Sequence, residues 1–165
     1  MKTEEEEGEE SRAGARRARL RLDREAIEQR IPHREPFLFL DGVALDDDGA
    51  VATWRVPANA DFFRGHYPGN PVTPGVILCE HAFQAAAVLL SERGQRFGAE
   101  HGVPLLARIE KAKFKRMVRP GETLSTEVRL VDTAGPAFFL EAKAFVAGEP
   151  VLEVRCVLTR AEDAR

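Results

Sequence analysis

The stretch from Val76 to about Leu90 constrains this chain more than any other part of it. Valine, isoleucine, leucine, phenylalanine and many alanines crowd together there, after Thr73, which can cap a helix, and Pro74, which suits its first position. Alanine is the strongest helix former, so this segment is expected to be helical. Its apolar residues fall on nearly every side, and such a helix must be covered on several sides at once. No run of about 18 wholly apolar residues occurs, so a buried core helix is expected and a transmembrane one is not.

The cover is written on both sides of it. Downstream the pattern changes to period two, predicting strands at 105–116, 122–132, 137–147 and 151–159. Arg119-Pro-Gly-Glu, Ala134-Gly-Pro and Ala147-Gly-Glu-Pro mark the turns between them. Leu152, Val154, Cys156 and Leu158 alternate with outward residues in the last, the signature of a half-buried antiparallel sheet. Upstream, 37–43 and 50–56 read as two more strands around the acidic turn Asp46-Asp-Asp-Gly. Asp23 opens a short capped helix that Pro32 ends. One buried helix with five or six antiparallel strands is an α+β fold, the sheet wrapped around the helix.

At 165 residues the chain fits one domain of that kind, expected over 23–165. Residues 1–22 hold an acidic block, Glu4 to Glu10, then a basic one, with almost nothing to bury; a disordered charged extension is expected. Its acidic start is unlike a secretory signal or a transit peptide. With only Cys79 and Cys156, no zinc site or disulfide framework is expected, and the reducing cytoplasm is the expected location. The formal net charge of −3 argues against nucleic acid as a partner.

The core helix contains a conflict. Glu80 and Gln84, four residues apart, share one face of it, and burying a carboxylate costs several kcal/mol unless it is paired or protonated. Two readings are open: a carboxylate facing a solvent channel or salt bridge, or an acid whose pKa burial raises and whose orientation Gln84 fixes. Just upstream, three prolines and three glycines between Gly65 and Gly75 stiffen a loop that carries His66. A rigidly supported loop is where catalytic side chains are found, so His66 and Glu80 form a candidate base and acid.

The run Gly65-His-Tyr-Pro-Gly-Asn-Pro-Val-Thr-Pro-Gly-Val-Ile-Leu-Cys-Glu80, with Gln84 after it, closely resembles the signature of FabZ-type 3-hydroxyacyl-[acyl-carrier-protein] dehydratases. Ile31-Pro-His-Arg-Glu-Pro-Phe-Leu-Phe-Leu-Asp and Lys113-Phe-Lys-Arg-Met-Val-Arg-Pro-Gly-Glu extend the resemblance to roughly residues 25–160. It implies the hot-dog fold and dehydration of a (3R)-hydroxyacyl thioester on acyl carrier protein to the trans-2-enoyl product. His66 would then take the α-proton, the backbone N–H of Gly75 would hold the enolate oxygen, Glu80 would protonate the leaving hydroxyl, and Gln84 would orient Glu80 and help bind substrate. The family draws the His and Glu of one site from different subunits, which implies a homodimer or a trimer of dimers. It also implies no metal and no cofactor beyond the carrier's phosphopantetheine, and no membrane partner. A hot-dog thioesterase and a non-catalytic acyl- or carrier-binding subunit are the alternatives.

Departures from the pattern fall in the segment Leu105-Leu-Ala-Arg-Ile-Glu110, which lacks a gating tyrosine and carries Arg108, and at Met117, where proline is common. Lys111, Lys113, Lys115, Arg116 and Arg119, with Arg108, form the strongest charge concentration outside the extension, either a solvated strand face or a landing patch for an acidic carrier. His33 is assigned a structural role, His81 a place in the core, and Cys79 that of a small buried hydrophobe.

Overall fold

The computed structural model describes residues 18–98 and 100–161. Seven strands form a single antiparallel sheet: β1 (Leu20–Leu22), β2 (Gly42–Leu45), β3 (Ala50–Arg55), β4 (Val103–Phe114), β5 (Thr123–Ala134), β6 (Ala137–Val146) and β7 (Glu149–Ala161). Their spatial order is β1-β2-β3-β5-β6-β7-β4. The short helix α1 (Arg24–Glu28) precedes β2, and the long helix α2 (Gly75–Glu92) lies between β3 and β4. Leu78, Ala82, Ala85, Ala86, Val88 and Leu89 of α2 are all buried, and the helix packs against β3, β5 and β7. Alanine on the packed faces lets the sheet curl close around the helix axis. This is the α+β wrap expected of a hot-dog fold.

By length and composition alone α2 could cross a bilayer, but the sheet covers it and 67% of it is buried. The strands expected downstream of it are present with ends shifted by up to two residues. The β6–β7 connection is a two-residue turn in which Ala147 (φ 49°) and Gly148 (φ 80°) both adopt left-handed backbone, the geometry that follows the twist of a tight hairpin.

Three expectations need correction. Residues 37–40 do not continue a strand. Phe37 and Phe39 instead direct backbone groups at Gln84, and β2 begins only at Gly42. Leu20–Leu22, assigned to the charged extension, form β1 and pair with β2, because Leu20 and Leu22 point inward and Arg21 outward. Thr73 does not cap α2. Pro74 is the N-cap residue, and the Thr73 hydroxyl is buried without a partner among the described residues. The rest of the extension, residues 1–17, lies outside the described residues.

At the far edge of the sheet stands β4. Ten of its twelve residues are exposed, and Leu105, Leu106, Ile109 and Phe114 are apolar residues between 42% and 51% exposed. Outward edges of this kind are normally charged, bent or covered. Bulges after Leu106 and Ile109 bend this one, and Arg108 pairs with Glu110 at 2.7 Å.

Candidate active site

The loop before α2 is built to hold one imidazole. A short turn of 3-10 helix, Asp61–Arg64, seats Phe63 in the core, and the His66 N–H donates to the Phe62 carbonyl at 2.9 Å. Val72 returns an N–H to the His66 carbonyl at 3.0 Å, and Thr73 donates to Val118 at 2.8 Å, so both ends of the loop are tied down. The peptide between His66 and Tyr67 is cis, and the two rings stack with centroids 4.1 Å apart. His66 Nδ1 lies 2.8 Å from the Val72 carbonyl oxygen. A carbonyl only accepts, so Nδ1 carries the hydrogen and Nε2 keeps its lone pair. That is the tautomer of a base.

His66 lines a cavity of about 830 Å³ together with Gly75 and Leu78 of α2, Phe114 of β4, and Met117 and Val118 just beyond it. The cavity reaches the first turn of α2. Ile77 and Leu78 donate to the Pro74 carbonyl, which leaves the N–H groups of Gly75 and Val76 with no helical carbonyl to serve, and the helix dipole adds partial positive charge. An imidazole with a free ring lone pair and the open start of a helix therefore share one largely apolar chamber.

Glu80 does not line that chamber. It lies five residues beyond Gly75, roughly 140° further round the helix axis. Its Oε1 accepts from Gln84 Nε2 at 2.9 Å and approaches His33 Nε2 at 3.5 Å. Burial pushes the carboxyl up from the usual carboxylate range, and the Gln84 hydrogen bond pulls partly back. Gln84 is fully buried. Its second N–H goes to the Phe37 carbonyl at 3.0 Å, and its oxygen accepts the Phe39 N–H at 2.8 Å. Both amide hydrogens are thus engaged within the chain, and none remains for a bound molecule. Within one chain His66 and Gly75 come together, whereas Glu80 and Gln84 form a second cluster with His33.

The basic residues divide as well. Lys115 pairs with Glu153. Arg116 grips Glu122 at 2.8 Å and 3.2 Å and reaches Glu149 at 3.1 Å. Arg119 holds Asn70 at 2.5 Å and the Pro71 carbonyl at 3.2 Å, which braces the histidine loop. Lys115 and Arg116 line the cavity, while Lys111 and Lys113 lie farther back along the exposed face of β4.

His81 is a core residue: Nδ1–H donates to Phe39 at 2.7 Å, the Thr126 hydroxyl meets Nε2 at 2.8 Å, and burial pushes its pKa down to about 4. Burial pushes the Cys79 thiol up to about 11, a poor start for a nucleophile. Among the described residues no three His, Cys, Asp or Glu side chains gather as metal ligands would. Sequence reasoning missed His33 as a neighbour of Glu80, because 47 positions separate them and no local pattern encodes the contact. It also missed that Phe114 covers Gly75, because 39 positions separate the two.

Comparison with known proteins identifies the family. The FabA-like domain matches residues 31–155. The 3-hydroxyacyl-[acyl-carrier-protein] dehydratase FabZ of Staphylococcus carnosus is 41% identical over 140 residues, covering 84% of this chain and 93% of that protein. Its counterpart from Caldicellulosiruptor saccharolyticus is 39% identical over 130 residues, covering 78% and 91%. Among solved structures, the dehydratase heterocomplex ApeI:P from Xenorhabdus doucetiae superposes with a TM-score of 0.70 at 15% identity, over 83% of this chain and 91% of that one. The E. coli PaaI protein of the phenylacetic acid degradation operon shares the fold at a TM-score of 0.56 and 19% identity, over 72% and 81%. An imidazole and a helix N-terminus facing one chamber, in a chain about 40% identical to such enzymes over most of its length, place it in the FabA-like family, with the FabZ-type 3-hydroxyacyl-[acyl-carrier-protein] dehydratases.

Proposed function

We propose that the protein dehydrates (3R)-hydroxyacyl-[acyl-carrier-protein] to the trans-2-enoyl thioester in fatty-acid or related biosynthesis. The observation that carries this reading is the shared chamber of His66, locked in its basic tautomer, and the free N–H groups of the α2 N-terminus. His66 Nε2 takes the α-proton. The electron pair moves into the thioester as an enolate, whose oxygen the Gly75 N–H receives at the positive end of the helix. The pair then returns to form the Cα=Cβ bond as the Cβ–O bond breaks, and the departing hydroxyl takes the Glu80 proton and leaves as water. A carboxyl that burial holds toward its protonated form suits that last transfer.

The acid comes from a second copy of the chain. Glu80 faces away from its own chain's chamber, and the open edge β4 offers Leu105, Leu106 and Ile109 as an apolar seam. Val76 (74% exposed) and Met117 (58%) extend that surface toward the chamber mouth. A twofold pairing across this seam gives two sites per dimer, and three such dimers would give a hexamer. The domain that pairs covers 23–165 together with β1. Acyl carrier protein, which is acidic, docks on Lys111, Lys113, Lys115, Arg116 and Arg119 around the mouth. Phosphopantetheine is the only prosthetic group the reaction calls on, and it belongs to the carrier. The enzyme works in the reducing cytoplasm, where Cys79 and Cys156 stay free thiols.

The test is conversion of 3-hydroxyacyl- or enoyl-carrier thioesters by the purified protein, followed at the enoyl absorbance with a parallel free-thiol assay. Hydration and dehydration without thiol release, lost in His66→Ala, are expected. Thiol release, or activity indifferent to His66→Ala, would overturn the reading.

A further inference from the structure

The two oxygens of Glu80 are treated differently by the chain. Oε1 accepts from Gln84 at 2.9 Å and has His33 Nε2 at 3.5 Å, while Oε2 has no donor among the described residues. At 3.5 Å His33 is within ion-pair reach of Glu80, a separation longer than a formed hydrogen bond, and the backbone around it is held in place. Its segment is pinned by the Arg34 guanidinium, which donates to the carbonyls of Ile31 (2.8 Å), His33 (2.7 Å) and Glu28 (2.8 Å). A few residues on, the Phe37 carbonyl takes the second N–H of Gln84. One glutamine thus fixes both the acid and the segment that leans on it.

The other ring nitrogen of His33 decides the hydrogen's position. Nδ1 is buried and has no partner among the described residues. A neutral imidazole carries one N–H. On Nδ1 that hydrogen would be a buried donor with nothing to serve, the rarest kind of orphan in folded proteins; on Nε2 it faces Glu80 Oε1. Burial, with the charge of Arg34 behind it, pushes His33 below the usual histidine range, so the ring has one hydrogen and not two.

We infer that His33 is a positioning residue of the dehydration site, donating from Nε2–H to Glu80 Oε1 and, with Gln84, confining the carboxyl proton to Oε2, the oxygen left free for the leaving hydroxyl. This rests on the reading of Glu80 as the acid. When the proton passes from Oε2 to the departing oxygen, the new charge spreads onto Oε1, where two donors already wait. Hydrogen bonds to a charged acceptor are the stronger kind, so the His33 contact tightens as the transition state forms. No proton leaves His33 in this step.

The experiment has one spectroscopic arm and one kinetic arm. In the ¹⁵N-histidine-labelled full-length protein, the His33 ring, assigned by its loss in His33→Gln, is expected to be neutral and protonated at Nε2. His33→Phe, which removes the donor, is expected to lower kcat about tenfold with KM changed less than about twofold, and His33→Gln, which retains an N–H, to stay within about threefold of wild type. An Nδ1–H tautomer, an unchanged kcat in His33→Phe, or a His33→Gln loss as large as that of His33→Phe would each overturn the inference. If His33→Phe does not fold, the tautomer and the His33→Gln rate decide. Glu80→Gln separates the two levels. If it turns over normally, the acid reading fails; if it is inactive while His33→Phe is not slowed, only the role of His33 fails.

Discussion

The ring of Phe114 lies against Gly75 so closely that a Cβ at residue 75 would stand 2.9 Å from its Cε1 and 3.0 Å from its Cζ. The backbone of a first helical turn suits any residue, and alanine would favour the helix by about 1 kcal/mol. Glycine at this position therefore answers to the aromatic ring and not to local conformation. The contact closes the chamber over the N–H that we propose receives the enolate oxygen.

Gly75→Ala should therefore fold normally and still lose activity, because the displaced ring moves across the oxyanion position. A fall in kcat of about tenfold to hundredfold is expected, since one oxyanion donor is commonly worth about 10²–10³. Adding Phe114→Leu should restore part of the loss, measured as a coupling in a double-mutant cycle of kcat.

Gln84 and Glu80 should move stability in opposite directions. Gln84→Ala strands a buried N–H at Phe39 and a carbonyl at Phe37, and should cost about 2–4 kcal/mol in urea unfolding. Glu80 has its folded pKa raised, so its favourable contribution is present at low pH and is lost as pH rises through the folded value. Glu80→Gln removes the ionisation and should raise the urea midpoint at pH 8 while abolishing dehydration.

His81 sets an acid limit on the fold. Its pKa falls from 6.5 to about 4 on burial, so the unfolded chain binds the extra proton first. Its stabilising contribution is complete above about pH 6.5 and is lost as pH falls toward 4, about 3 kcal/mol over the whole window. Urea midpoints taken between pH 7.5 and 4.5 should show this slope in the wild type and a shallower one in His81→Gln.

How much of this was legible follows from where the information lies along the chain. Helix α2 and strands β4 to β7 carry their burial pattern locally, in period and composition, and could be read directly. Residues 37–40 carry the same kind of apolar pattern, yet Gln84, over 40 positions away, takes the backbone groups at 37 and 39 and turns them into a loop. Thr73 had the right chemistry for a cap, but Pro74 takes the N-cap position and leaves that hydroxyl one residue too early. His66, Glu80, Gly75 and Gln84 all stand in one continuous motif and were read together. His33 and Phe114 reach Glu80 and Gly75 only through the fold. No spacing rule on one chain can indicate a site shared between two.

The shared site is the central claim, and mixing two inactive variants tests it most directly. His66→Ala and Glu80→Gln chains are each expected to be inactive alone. Unfolded together and refolded at equal amounts, half of the dimers should be hybrids, and each hybrid should contain one intact site, with His66 from one chain and Glu80 from the other. Activity should return to about a quarter of wild type. If mass spectrometry shows that the hybrids formed and the mixture stays inactive, both residues must serve within one chain, and the shared site is refuted.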